Sequence, residues 1–277
     1  TLIKAQSRTL YLLTFIISLA VVGSWIDKME RQYWGVKPGV ILEDIKVERL
    51  YEWEVRQVVE ELAVRRQKLP VEPAIDKFSG EIVPEQPGEV IDVEQTLANV
   101  MQASPNTRVE AVTVKIDAVH HSDELRNLSL CIGEYHTWFH GSGERYTNIQ
   151  MAIKSINNTL LWPGEVFSFN ETTGPRTAER GYLPAPIIMN GGFDLGLGGG
   201  VCQVSSTTYN AVLKADLTVI ERHGHSKPVH YVPEGNDATV DYGSLDLKFL
   251  NNRRGPILIK AGMHRGRIAV SIWTSGS

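Results

Sequence analysis

The residues best equipped for chemistry lie between Gly198 and Asp237. Three glycines, Gly198, Gly199 and Gly200, give way to Val201 and Cys202, after which Val204, Thr208, Ala211, Val212 and Ala215 recur at helical spacing. A cysteine is thereby delivered to a helix start, where unpaired N–H groups favour the thiolate, the form that acts as a nucleophile. Gly199 and Gly200 carry no side chain, so backbone amides can approach a substrate carbonyl as an oxyanion hole requires.

A cysteine nucleophile needs a base or cation beside it, and the segment Glu221-Arg222-His223-Gly224-His225-Ser226 supplies two histidines and an arginine. If that segment stays extended, His223 and His225 point the same way, and either is a candidate for the base. Asp237, in GNDATVDYGS, can orient the imidazole as the third member of the set; an Asx turn after Gly235-Asn236 is its plainer role. Arg180 or Arg222 can receive a substrate carboxylate, since a planar guanidinium matches it bidentately.

Other chemistries compete for the same residues. Cys202 can be a buried apolar side chain, or it can bridge to Cys131, the second of the two cysteines, if the chain works outside the cytoplasm. Cys202, His223 and His225 also compose a trio of zinc-type ligands, but one sulfur without a C-x-x-C partner argues against a structural site. No metal and no cofactor is expected.

The elements that must position these residues follow from pattern. The chain has 277 residues and a formal net charge of -4, enough for two domains and without the basic runs that nucleic acid requires. Thr9 to Ile26 carries no charged side chain, and such a run spans roughly 27 Å as a helix, close to a bilayer core. With Lys4 and Arg8 before it, residues 1–28 are expected to be a cytoplasmic stub and a single-pass transmembrane helix in the cell membrane, the remainder lying outside the cytoplasm. A cleaved signal peptide, with Ser18, Ala20 and Gly23 as small residues, is the alternative.

Residues 29–125 read as a small α+β module. Tyr51 to Lys68 places Val55, Val58, Val59 and Leu62 on one helical face, and Leu69-Pro70 stops it. Asp92 with Gln95 forms a capping box ahead of Leu97, Val100 and Met101, and Val109 to Val119 alternates as a strand. Residues 126–277 read as a mixed α/β domain. Thr147 to Leu160 is helical up to Asn157-Asn158, Val166 to Phe169 forms a short strand, and the end of the chain folds as a hairpin about His264-Arg265-Gly266. The fold class is therefore α+β: an N-terminal transmembrane helix, a small α+β module and then a mixed α/β domain.

Several stretches in order carry a family resemblance. GEVFSFNETTGPRTAERGY, GGGVCQVSSTTYNA and ERHGHSKPVHYVPEGNDATVDYGSLDLKF resemble the core motifs of the VanW family, named for an accessory gene of vancomycin-resistance clusters. The likeness runs from about Gly133 to Trp273 and departs mildly at Gly192-Phe193-Asp194-Leu195-Gly196. Residues Gly88 to Glu94 with Thr96-Leu97 resemble the peptidoglycan-binding domain that often precedes VanW domains.

The resemblance implies L,D-transpeptidase chemistry on peptidoglycan stem peptides, with a thioester on Cys202 and 3-3 cross-links as the product. It also leaves room for a non-catalytic, membrane-anchored peptidoglycan-binding protein.

Overall fold

The structure, a computed structural model, describes residues 2–139, 143–189 and 192–276, with side chains in the first helix from Ser18 onward. Asn190 and Gly191, part of the glycine-rich stretch ahead of Cys202, lie outside the described residues. The chain divides into two compact units, one of residues 1–71 and 86–118, the other of residues 72–85 and 119–277.

In the first unit, α1 (Leu2–Trp34), α2 (Glu52–Arg66) and α3 (Val93–Gln102) accompany short strands. Val55, Val59 and Leu62 of α2 are buried, as its amphipathic pattern requires, and meet Leu97 and Val100 of α3 in one core. Asp92 caps α3 by accepting from the Gln95 amide at 2.9 Å, but the Gln95 side chain turns to Asn99 instead of closing the box. The expected strand from Val109 to Val119 is broken into Arg108–Val109 and Thr113–Ile116. Between them the Ala111 amide is drawn to Glu43 and the Val112 amide to the Thr96 hydroxyl, so side chains take the bonds a ladder would use.

The expectation of an N-terminal transmembrane helix is corrected here. Among the described residues no helix is long and apolar enough to cross a membrane. Beyond Ile26 the helix continues through Asp27, Lys28, Glu30 and Arg31. Arg31 bonds Asp27 one turn back and Glu54 at the start of α2, so this end of α1 is tied to charged groups.

The second unit is built on a four-stranded antiparallel sheet in the order 130–138, 267–274, 257–264, 159–161. Its long hairpin turns at Arg265 and Gly266, both with positive φ, which matches the right-handed twist of two-residue hairpins. Preceding the sheet's second half come α4 (Ser122–Arg126), α5 (Glu144–Ile156), α6 (Phe169–Thr173) and α7 (Val201–Lys214). Ile149 and Ile153 of α5, Val204 and Ala211 of α7, and Ile257, Ile259, Ile268, Val270 and Ile272 of the sheet share one core. Leu258, pointing the other way as strand alternation demands, joins Ile75, Leu125 and Trp162 on the opposite face.

α7 lies unusually close to the sheet. A Cβ at Gly133 would stand 2.4 Å from the Ala211 carbonyl and 2.6 Å from the Ala215 amide, so only glycine fits under this helix. Nearer its N-terminus Thr207 bonds Thr137 at 2.8 Å, and Gln203 donates to Thr137 Oγ1 and to the Trp138 carbonyl. A second sheet of strands 166–168, 248–250 and 218–221 adds the stacked pair Phe167 and Phe249, and residues 184–189 and 192–197 pair antiparallel as a separate two-stranded sheet. Helices and antiparallel strands in this mixture make the protein α+β.

Candidate functional site

The three glycines are explained by what lies against them. Gly198 and Gly200 have φ of 84° and 109°, a left-handed region in which glycine alone is unstrained. A Cβ on Gly198 would meet Arg176 Cγ at 2.8 Å, one on Gly199 the Ala185 carbonyl oxygen at 2.6 Å, and one on Gly200 Ile149 at 2.9 Å and Arg145 Cγ at 3.1 Å. The glycine turn thus lets two arginine stems and a strand backbone close around the beginning of α7. Gly200 is the N-cap, so Cys202 falls in the first turn. Its thiol is partly exposed, unbridged, and 3.5 Å from the Val240 carbonyl; Cys131 is also free and stands exposed on its strand.

α7 is polar where its neighbours are close. Gln203, Ser205, Ser206, Thr207, Thr208 and Asn210 are all buried. The hydroxyls of Thr207 and Thr208 return to the carbonyls four residues back, which removes the cost of burying them. Ser206 and Asn210 do more, because each also reaches the segment that carries Asp237. The Ala238 amide donates to Ser206 Oγ at 2.9 Å, and Asn210 Nδ2 donates to the Asn236 carbonyl at 2.7 Å.

Cys202, Ser206 and Asn210 therefore contact Val240, Ala238 and Asn236 in turn. Four helical residues advance about 6.0 Å and two extended residues about 6.6 Å, so a helix face and an antiparallel extended strand keep step over this length. Asp237 falls between two of these anchors.

Asp237 meets His225. The imidazole Nδ1 lies 2.5 Å from Asp237 Oδ2, which also accepts the His225 amide at 2.6 Å. The His225 side chain is 6% exposed, and it interacts with the Cys202 thiol as well as with Asp237. With Nδ1 occupied by the carboxylate, Nε2 is the ring nitrogen that Asp237 does not engage. Burial disfavours the imidazolium, but the Cys202 sulfur and the Asp237 carboxylate favour it more strongly, and His225 titrates above the ordinary imidazole range. Burial likewise pushes Asp237 up, yet hydrogen bonds from the His225 backbone and ring hold it below the usual carboxylate range.

The other expected residues are placed differently. His223 pairs with Glu221 at 3.0 Å instead of turning to the thiol, and Glu221, bonded first by Lys248 and then by His223, is held down at about 2. Cys202, His223 and His225 do not converge, and among the described residues no group of three His, Cys, Asp or Glu side chains is placed to hold a metal ion. Arg222 commits its donors to the Asp237 carbonyl, Asp237 Oδ1 and the Gly235 carbonyl, over the ring of Tyr209. Arg180 is exposed, stacked on Gly174, and donates to the Thr173 carbonyl.

Four residues near the thiol were not singled out from the sequence. Tyr231 stands edge-on to the His225 ring at 6.4 Å, and burial, then the charge of Cys202, raises its pKa. Arg145 donates to Gln203 at 2.8 Å, and Arg176 lies behind Gly198; burial makes both guanidiniums less willing to hold a proton while the Cys202 sulfur draws them the other way. Ser206 had a signal that can be read in advance, one helical turn beyond Cys202 on the same face.

Comparison with known proteins adds a family. Residues 144–273 match the family described as VanW like protein. The chain is 40% identical over 171 residues to the uncharacterized protein YoaR of Bacillus subtilis (strain 168), covering 61% of this chain and 56% of that one. It is 35% identical over 112 residues to the vancomycin B-type resistance protein VanW of Enterococcus faecalis (strain ATCC 700802 / V583), covering 38% and 40% respectively. The chain thus spans about half the length of the curated relatives it matches. No solved structure matches it.

Proposed function

Since this chain belongs to the VanW family through its residues 144–273, we propose that the domain is a cysteine acyltransferase of the cell wall, an L,D-transpeptidase that joins peptidoglycan stem peptides through a thioester on Cys202. The observation that carries the reading is Cys202 in the first turn of α7, next to a segment that Ser206 and Asn210 hold to the same helix and whose Asp237 binds the His225 ring. Nucleophile, base and orienter in contact are what covalent acyl transfer needs.

The Cys202 thiol gives its proton to His225 Nε2, and the sulfur adds to the carbonyl that follows the diamino acid of a tetrapeptide stem. The tetrahedral oxyanion collapses, the imidazolium protonates the departing amine, and D-alanine leaves with a thioester remaining on sulfur. The amine of a neighbouring stem then attacks the thioester carbonyl, His225 removes the amine proton, and the thiolate departs as a 3-3 cross-link forms. Asp237 keeps Nδ1 protonated and the ring directed at sulfur, and Arg222 holds Asp237 in turn. Residues 29–125 serve contact with the same polymer, which assigns both units to the extracytoplasmic side.

Intact-protein mass spectrometry after incubation with a tetrapeptide muropeptide tests the reading. It requires an adduct of the acyl mass on the wild type and none on Cys202→Ala. No adduct, with binding to sacculi unchanged by Cys202→Ala, would replace the enzyme with a non-catalytic wall-binding protein.

A further inference from the structure

None of the chemistry above uses the position of Arg176. Its Nη1 and Nη2 are closed off from solvent and have no hydrogen-bond partner among the described residues, and the hydroxyl of Tyr182, whose ring is 1% exposed, is in the same condition. A buried guanidinium without a counter-ion is costly and wants an explanation.

Nearby acids do not supply one. Asp246 accepts from the Ser168 hydroxyl and from the Asn170 and Leu247 amides, and Asp241 accepts from the Ser244 hydroxyl. Neither forms an ion pair with Arg176, which instead lies 5.9 Å from the ring of Phe169 and 6.0 Å from that of Tyr242.

The guanidinium is also held in register with the nucleophile. The Arg176 stem fills the space over Gly198, the first glycine of the turn that ends at the N-cap of α7, and Val201 and Cys202 follow directly. Gly198 has the Arg176 stem and the Val201 side chain against it and donates its amide to the Leu183 carbonyl, next to Tyr182, so cation, phenol and the start of α7 share one neighbourhood.

We propose that Arg176, assisted by the Tyr182 hydroxyl, binds the free carboxylate of the residue on the leaving side of the scissile bond, so that the site accepts acyl donors ending one residue past that bond. This rests on Cys202 acting as the acyl-accepting nucleophile. One residue of extended chain covers about 3.3 to 3.6 Å, so an α-carboxylate in this position is a near neighbour of the carbonyl under attack. A guanidinium takes such a carboxylate through two parallel N–H bonds, which a longer donor, with an amide at that position, cannot accept. Because the nitrogens are shielded from water, the side chain turns toward Cys202 as the ligand enters.

The test measures binding apart from chemistry. On Cys202→Ala protein, calorimetry compares a stem tetrapeptide ending in D-alanine with the same peptide ending in its carboxamide. The acid binds at least about tenfold tighter, and Arg176→Gln removes that preference while leaving amide affinity in place; Arg176→Lys keeps part of it. Equal affinity for acid and amide on the Cys202→Ala protein overturns the assignment and would leave the guanidinium to a buried water. That comparison needs no Arg176 variant, so a variant that fails to fold does not obscure it. If the acid is preferred but wild-type protein forms no acyl-enzyme, the carboxylate site stands and the transpeptidase reading falls. If both donors acylate Cys202 equally well without a difference in KM, the enzyme stands and the carboxylate site falls.

Discussion

Ser206 Oγ accepts the Ala238 amide at 2.9 Å, and through this bond the helix that carries Cys202 holds the segment that carries Asp237. The same hydroxyl donates to the Cys202 carbonyl at 2.8 Å, so one side chain closes a link between nucleophile backbone and orienter backbone. Ser206→Ala therefore leaves the Ala238 amide buried without its partner, at about 1 to 3 kcal/mol. Chemical denaturation should show that loss, and faster hydrogen exchange at Ala238 should accompany it; an unchanged exchange rate would mean that Asn210 alone holds the segment.

The two histidines separate by their partners. His225→Asn should lower acyl-enzyme formation by about a hundredfold to ten-thousandfold, the range a positioned acid–base contributes. His223→Asn, which breaks only the pair with Glu221, should stay within a few-fold of wild type. Single-turnover rates on the two variants decide it, and a reversal of their order would move the base to His223.

The pH dependence of stability follows from the His225–Asp237 pair. The pKa of His225 is raised on folding, so its contribution is complete below the ordinary imidazole value of about 6.5 and is lost as pH climbs through the folded value. That of Asp237 is lowered, so its contribution is complete above the ordinary carboxylate value of about 3.9 and is lost as pH falls through the folded one. Both act together between about pH 4 and 6.5. Asp237→Asn should cost about 3 kcal/mol there and less at pH 9, where the Arg222 contact is what it still breaks. Urea denaturation at the two pH values measures the difference; a penalty that grows toward pH 9 would reverse the sign.

Cys202→Ala should abolish the acyl-enzyme while changing stability by no more than about 1 kcal/mol, because the thiol is partly exposed and its hydrogen bond to the Val240 carbonyl is weak. Mass spectrometry and a thermal melt read the two quantities separately.

Gly133→Val should lower stability by about 1 to 3 kcal/mol or prevent folding, since a Cβ there meets the backbone of α7 and not a flexible side-chain end. A melt of this variant within a degree or two of wild type would show that α7 can lift from the sheet.

Local pattern was enough for several parts of this protein. The buried faces of α2 and α3, the Asp92 cap, the end of α5 at Asn157, the hairpin about Arg265-Gly266 and the arrival of Cys202 in the first turn of a helix depend on neighbours within a few residues, and periodicity and turn chemistry report such neighbours. Composition misread α1, because an uncharged run does not disclose that its helix goes on through Asp27 and Arg31 to bond Glu54.

The assembled chain was needed to choose His225 over His223 as the ring beside the thiol, to commit Arg222 to Asp237, and to bring Arg145 and Arg176 against the glycine turn. These are contacts between segments 12 to 58 positions apart in the chain. Which rotamer each side chain takes depends on what another segment has left open, and no local pattern encodes that.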